Sequence, residues 1–336
     1  MNPLTLCGVP VKRVSSDRYL GDQVAGSLSE SVALTIDKRR GLAEHSGYEI
    51  RTIIDDCRSE VTGGLTTGLL LWEMSVIPML MNNAECWLQM NDSTLKLLNS
   101  IQNNFLKCLM AVGQGCPTPS LYWSTGTLLM VNRILQKKCL FVHHLATLPP
   151  DSLAREVFEL QNHFHLPSLM DECNFFIETF CQRKIENFTK NQWKKMVKRK
   201  IVEKNRQDLL DQMKGYQKID YSTHENEPFK IQQYLQQMKL SQARLKFKID
   251  CFMTPTVKLN FLNNDQFRRE NYTCWDCSNI DSQAHVKICK EYEEFRRGKN
   301  LDCDTDLVRY FQQVIGKRQA TLGLVGQNDV QVGQTD

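Results

Sequence analysis

Cys274, Cys277, His285 and Cys289 stand in the run C-x2-C-x7-H-x3-C, the one arrangement in the chain with metal-ligand spacing. Two thiols separated by two residues can grip one ion from a tight turn. A His and a Cys four positions apart lie one helical turn from each other and can close a tetrahedron around Zn²⁺. With protein at all four positions no place is left for an activated water, so the expected role of the ion is structural. The intervening residues Ser278 to Ala284 are short and largely polar. They predict a small zinc knuckle whose core is the metal rather than buried apolar surface. The alternative is three unrelated thiols beside a surface His.

Other residues with chemical potential lack their partners. Gly63 and Gly68 have the spacing of phosphate-loop glycines, but Leu69 occupies the position of the required Lys. Ile53-Ile54-Asp55-Asp56 has the paired carboxylates of a Mg²⁺-binding polymerase hairpin, yet the residues from Tyr48 to Glu60 pattern as helix. His143-His144 and the pair His163 and His165 have no Cys or carboxylate at ligand spacing and read as structural. There is no Gly-x-Ser-x-Gly elbow. No catalytic residue is assigned.

The elements that must carry these residues are mainly α, after a short N-terminal β-hairpin. Leu4, Leu6, Val9, Val11 and Val14, broken by Gly8 and Pro10, have strand character and lead to Tyr19-Leu20-Gly21. Leu65, Leu69, Trp72, Val76 and Leu80 share one helical face, which Pro78 should kink or end. Asp92 or Ser93 can cap a helix with Leu98, Ile101, Phe105 and Leu109 on one side. A third helix runs toward Pro149-Pro150 with Leu128, Val131, Leu135, Val142 and Leu145 facing inward. Shorter helices follow around Leu153, Val157 and Leu160, then around Leu169, Cys173, Phe176 and Phe180. Thr189 and Gln192 form a capping box ahead of a helix whose Trp193, Val197 and Ile201 are apolar. A linker spans 215–228, and one further helix covers Phe229 to about Met238. The expected organisation is a hairpin over 1–25, a helical body over 26–180 and a basic helix over 181–214. A linker and helix follow over 215–242, the zinc-knuckle module over 243–318 and a disordered Gly- and Gln-rich tail over 319–336.

Composition narrows the classes. A length of 336 residues suits about two or three folded units, and 41% apolar residues suffice for a sizeable core. No stretch approaches the roughly 18 apolar residues of a membrane span, and no leader is visible. Thirteen Cys is an odd number without paired spacing outside the knuckle. That argues for a nuclear or cytoplasmic, reducing compartment, with thiols such as Cys108 and Cys139 as small core residues. Between Arg183 and Asp220 there are twelve Lys or Arg against five acids, a local charge of +7 in a chain of net +4. Such a segment fits a phosphate backbone, and Lys194, Lys195, Lys198, Arg199 and Lys200 are the candidate contacts. A solvated helix face is the plainer explanation.

In its order of hairpin, Tyr-Leu-Gly, long helical region, basic stretch and Cys-Cys-His-Cys run, the chain resembles the C-terminal part of a LINE-type non-LTR retrotransposon reverse transcriptase. Ser16 to Asp22 resembles the strand leading from the palm into the thumb of that family. Leu71-Trp72-Glu73, Ile77-Pro78 and Asn83 to Trp87 resemble its helical continuation, and Ala243 to Phe247, Met253-Thr254-Pro255 and Cys274 to Cys289 its zinc module. The resemblance implies a thumb-like body without the catalytic palm, since the family's metal-binding Asp residues precede the Tyr-Leu-Gly strand. It therefore implies a noncatalytic fragment that binds RNA, DNA or a hybrid duplex. Arg268 and Arg269 would add phosphate contacts and Trp275 would stack on an unpaired base. No membrane and no small-molecule substrate are expected. The competing expectation is a domesticated zinc-knuckle module for protein interaction or structural support.

Overall fold

Two antiparallel ladders realise the strand character of the N-terminus. In the computed structural model, which describes residues 5–6, 9–10, 15–19, 21–56, 62–164, 168–181, 185–216, 227–251, 253, 274, 277 and 283–321, β1 (Thr5–Leu6) pairs with β2 (Val9–Pro10), and β3 (Ser16–Tyr19) with β4 (Asp22–Ala25). Gly21 lies between the paired Tyr19 and Asp22 at φ 92°, a region that favours glycine. Arg39 latches this hairpin to the helices. Its guanidinium reaches the Gly21 carbonyl at 3.2 Å, Asp22 Oδ1 at 2.6 Å and the Asn82 carbonyl at 2.8 Å.

A first core joins α1 (Leu28–Asp56), α2 (Gly64–Leu71), α3 (Ile77–Leu80), α4 (Asp92–Leu109) and α5 (Thr118–Thr125). α1 buries Val32, Ile36, Arg39, Ala43, Gly47, Ile50 and Ile54, three or four residues apart along one stripe. At Gly47 the missing Cβ admits Trp72, whose indole stacks on Phe105 with centroids 4.0 Å apart. Pro78 lies in the short α3, which ends two residues later at Leu80. A π-helical turn (Trp72–Val76) joins α2 to α3 and puts the Ile77 N–H on the Trp72 carbonyl, so the register has already slipped where the proline lacks its donor. The cap of α4 is Asn91 rather than Asp92 or Ser93. Its backbone is extended and its Oδ1 accepts the Thr94 N–H at 2.8 Å.

α6 (Met130–Ala146), α7 (Leu153–His163), α8 (Leu169–Cys181) and the first half of α9 (Lys190–Met213) enclose a second core around Val142, Phe158, Phe176, Trp193 and Val197. The capping box of Thr189 and Gln192 is present. The buried face of α6 differs from the apolar pattern: Val131 is exposed, while Asn132, Lys138 and His143 are buried. Each has a partner that periodicity does not reveal. Asn132 Nδ2 donates to Asn205 Oδ1 at 3.0 Å and Asp208 Oδ2 at 2.9 Å, Lys138 pairs with Glu172, and His143 Nε2 lies 2.9 Å from the Phe188 carbonyl. Cys139 is buried as expected, whereas Cys108 faces solvent beside the α4 seam of Phe105, Leu106 and Leu109. On α7 the stripe Leu153, Val157 and Leu160 is exposed and only Phe158 is buried.

α10 (Gln233–Gln237) and the start of α11 (Leu240–Asp250) return to the first core through Tyr234, Leu235, Leu240, Ala243 and Phe247. Ile249 of the same helix enters a third core with α12 (Gln283–Ile288), α13 (Glu293–Arg296) and α14 (Asp304–Thr321). The expected boundary at 243 thus falls inside a helix shared by two cores, and α14 runs on to Thr321, past the expected start of the tail at 319. Of that tail, 322–336 lie outside the described residues, as do 217–226 of the expected linker. No helix among the described residues is long and apolar enough to cross a membrane.

Candidate metal centre

His285 sits in α12 and Cys289 directly follows that helix, with the Cys289 N–H bonded to the His285 carbonyl at 2.8 Å. This is the one-turn spacing that aims both side chains to the same side. A tetrahedral zinc site with Zn–S of about 2.3 Å and Zn–N of about 2.0 Å requires sulfurs about 3.8 Å apart and sulfur to nitrogen about 3.5 Å. Cys277 Sγ lies 3.6 Å from Cys289 Sγ and 3.1 Å from His285 Nε2, and with Cys274 all four ligand atoms lie within 4.8 Å of one another. A disulfide would need about 2.05 Å. Three thiols and an imidazole are a donor set suited to zinc, so this cluster can hold a metal ion such as zinc, with no protein-free position in the tetrahedron.

Burial divides the ligands. Cys274 and Cys289 are enclosed, while Cys277 and His285 are half-buried. Burial pushes the metal-free Cys289 thiol up to about 12; a hydrogen bond from the Glu291 backbone works against this, and the neighbouring Cys277 and Cys274 add to it. A metal must therefore displace protons to bind.

The setting is more than a knuckle. Cys274, Val286, Cys289 and Tyr292 pack with Ile249, Leu307, Val308, Tyr310, Phe311 and Val314, so apolar surface shares the core with the cluster, contrary to the expectation of a core made by the metal alone. Side chains also satisfy the carbonyls at the end of α12: Tyr310 OH donates to Val286, and Arg296 Nη1 to Cys289 at 2.6 Å. Gln283 Nε2 ties α12 to α11 through the Ile249 carbonyl at 2.7 Å. Arg318, 6% exposed, places Nη2 3.8 Å from Cys274 Sγ and donates Nε to Tyr292 OH at 2.9 Å. Zinc with three thiolates and a neutral imidazole carries a net charge of −1, which this buried guanidinium offsets. The sequence signal for Arg318 was available: Leu307, Phe311 and Val314 have helical spacing, and Arg318 is four residues further on.

The basic positions lie elsewhere. Lys194, Lys195, Lys198 and Arg199 are exposed on α9, which contributes nothing to the third core among the described residues. Lys200 is partly buried and pairs with Glu203 at 2.7 Å, and Arg199 approaches the same carboxylate at 3.8 Å. Arg268, Arg269 and Trp275 lie outside the described residues. Asp55 of the acidic pair lies in the last turn of α1 and pairs with Arg244 at 2.7 Å and Arg51 at 3.2 Å, tethering α1 to α11. Fold and site together define a mainly helical chain with an N-terminal two-strand hairpin and a C-terminal Cys3His cluster. No protein-family model, curated protein or solved structure matches it.

Proposed function

We propose that this chain is a noncatalytic nucleic-acid-binding part of a LINE-type non-LTR retrotransposon reverse transcriptase, with zinc as a structural ion in the Cys3His cluster. The observation that carries the binding reading is the outer face of α9. Lys194, Lys195 and Lys198 are exposed and make no ion pair among the described residues, while Trp193, Val197 and Ile201 on the opposite side anchor the helix in the second core. A rigid helix presenting cations at fixed spacing neutralises phosphates and releases counterions, which gives affinity without sequence preference.

Fluorescence anisotropy with a labelled single strand and an RNA–DNA hybrid, at low and moderate salt, tests this. The expected result is affinity that falls steeply with salt. Replacing Lys194, Lys195, Lys198 and Arg199 by Ala should weaken binding and flatten the logarithmic salt slope by about 0.7 to 0.9 for each phosphate contact removed. Salt-independent binding, or a variant with an unchanged slope, overturns the proposal. A protein-interaction module is the second reading, favoured by the exposed apolar stripe Leu153, Val157 and Leu160 of α7.

A further inference from the structure

An open cleft of about 430 Å³ lies between α2, the α5–α6 connection and α9. Leu69, Leu70, Val202, Phe229 and Ile231 line it, and Leu70 and Val202 are 55% and 38% exposed. Its back wall is fixed. Gly126, at φ 62°, lets the 229–231 segment close in, since a Cβ there would stand 2.5 Å from the Ile231 nitrogen, and the Gln232 N–H bonds the Ser124 carbonyl at 2.9 Å. The site is therefore built before any partner arrives, which lowers the ordering cost of binding.

Within the cleft Glu73 and Arg133 neutralise each other, and the α9 surface beside it is cationic. The helix-surface neighbours of Val202 at three and four residues are Lys198, Arg199, Asn205 and Arg206, and Asn205 points into the core. Three positive side chains thus surround the one apolar residue that α9 gives to the cleft, Arg199 also lying 3.8 Å from Glu203 and Arg206 donating Nε to the Glu227 carbonyl at 3.2 Å. We propose that the cleft docks an acidic amphipathic segment of a partner protein, with aliphatic side chains of that segment in the cleft and its carboxylates on Lys198 and Arg199. A helix or extended peptide with apolar anchors flanked by acids has this complementarity. A nucleobase fits less well because it binds best on flat π surfaces. The walls are mostly aliphatic, Phe229 packs edge-on against Trp123 at 5.8 Å, and the Arg133 guanidinium is held in two hydrogen bonds by Glu73.

The test uses the full chain and a short fluorescein-labelled peptide with two leucines three positions apart in a run of glutamates, read by anisotropy. A second peptide replaces the leucines by serines. The first peptide should bind. Leu70→Ser and Val202→Ser, with circular dichroism unchanged, should each weaken it by about tenfold, as should Lys198→Ala. Both Ser variants should leave oligonucleotide binding intact, which separates this proposal from the function proposed above. Equal binding of the serine peptide, absence of peptide binding, or loss of oligonucleotide rather than peptide binding in Leu70→Ser overturns it.

Discussion

Replacing Arg318 by Met removes a buried positive charge while keeping most of the side-chain volume. Its Nη2 stands 3.8 Å from Cys274 Sγ, against a site of net charge −1 when zinc is bound. At about 4 Å two unit charges attract by roughly 4 kcal/mol at an effective dielectric near 20, an upper bound because the guanidinium was itself desolvated on folding. Outer-shell partners of metal sites are worth about 10- to 100-fold in affinity, or about 1.4 to 2.8 kcal/mol, and the expected loss for Arg318→Met lies in that range. Competition against a chromophoric chelator measures it. Arg318→Lys, which keeps the charge but loses the planar fork, should fall between the two. Val314→Ala serves as the control for packing alone, since Val314 belongs to the same core and carries no charge. With cobalt in place of zinc, the sulfur-to-metal charge-transfer band should move in Arg318→Met and stay in Val314→Ala. Zinc affinity within twofold of the parent in Arg318→Met, or an equal loss in Val314→Ala, refutes the charge argument.

Chelation or Cys277→Ser should loosen α12 and, through the Tyr310 and Arg318 hydrogen bonds, α14, while α1 and α4 keep their amide protection; hydrogen exchange by mass spectrometry reads this directly. Zinc affinity should rise with pH between about pH 6 and pH 8: the Cys289 thiol, pushed up to about 12 when metal-free, is protonated throughout, so each step down in pH adds competing protons. A pH-independent chelator competition would contradict this. Gly126→Ala should cost about 3 kcal/mol or more in urea unfolding, because it combines a left-handed backbone with a Cβ 2.5 Å from the Ile231 nitrogen. Asn205→Leu should cost about 1 to 3 kcal/mol in the same assay, since the Leu129 N–H, bonded to Asn205 Oδ1 at 2.8 Å, is left buried without an acceptor.

Spacing made the ligand set legible because a metal site imposes local geometry: C-x2-C and H-x3-C each constrain a single turn, and the structure brings all four side chains together. The capping box at Thr189 and the apolar face of α9 were legible for the same reason. Contacts across the fold were not. Asn132, Lys138 and His143 occupy buried positions on α6 through partners 73, 34 and 45 residues away in sequence, while hydropathy alone assigns those positions to solvent. The π turn before Pro78 was not legible, because apolar spacing alone does not distinguish it from a regular α turn. The third core escaped although α14 carries a buried stripe of Leu307, Val308, Tyr310, Phe311 and Val314, because the residues it packs against are scattered: Ile249 on α11, Val286 on α12, and Cys274, Cys289 and Tyr292 outside any long helix.

X-ray absorption at the zinc edge on the purified chain tests the central claim most directly. The account predicts one zinc per chain with three sulfurs at about 2.3 Å and one nitrogen at about 2.0 Å. A chain that binds no zinc, or a first shell dominated by oxygen, would contradict it.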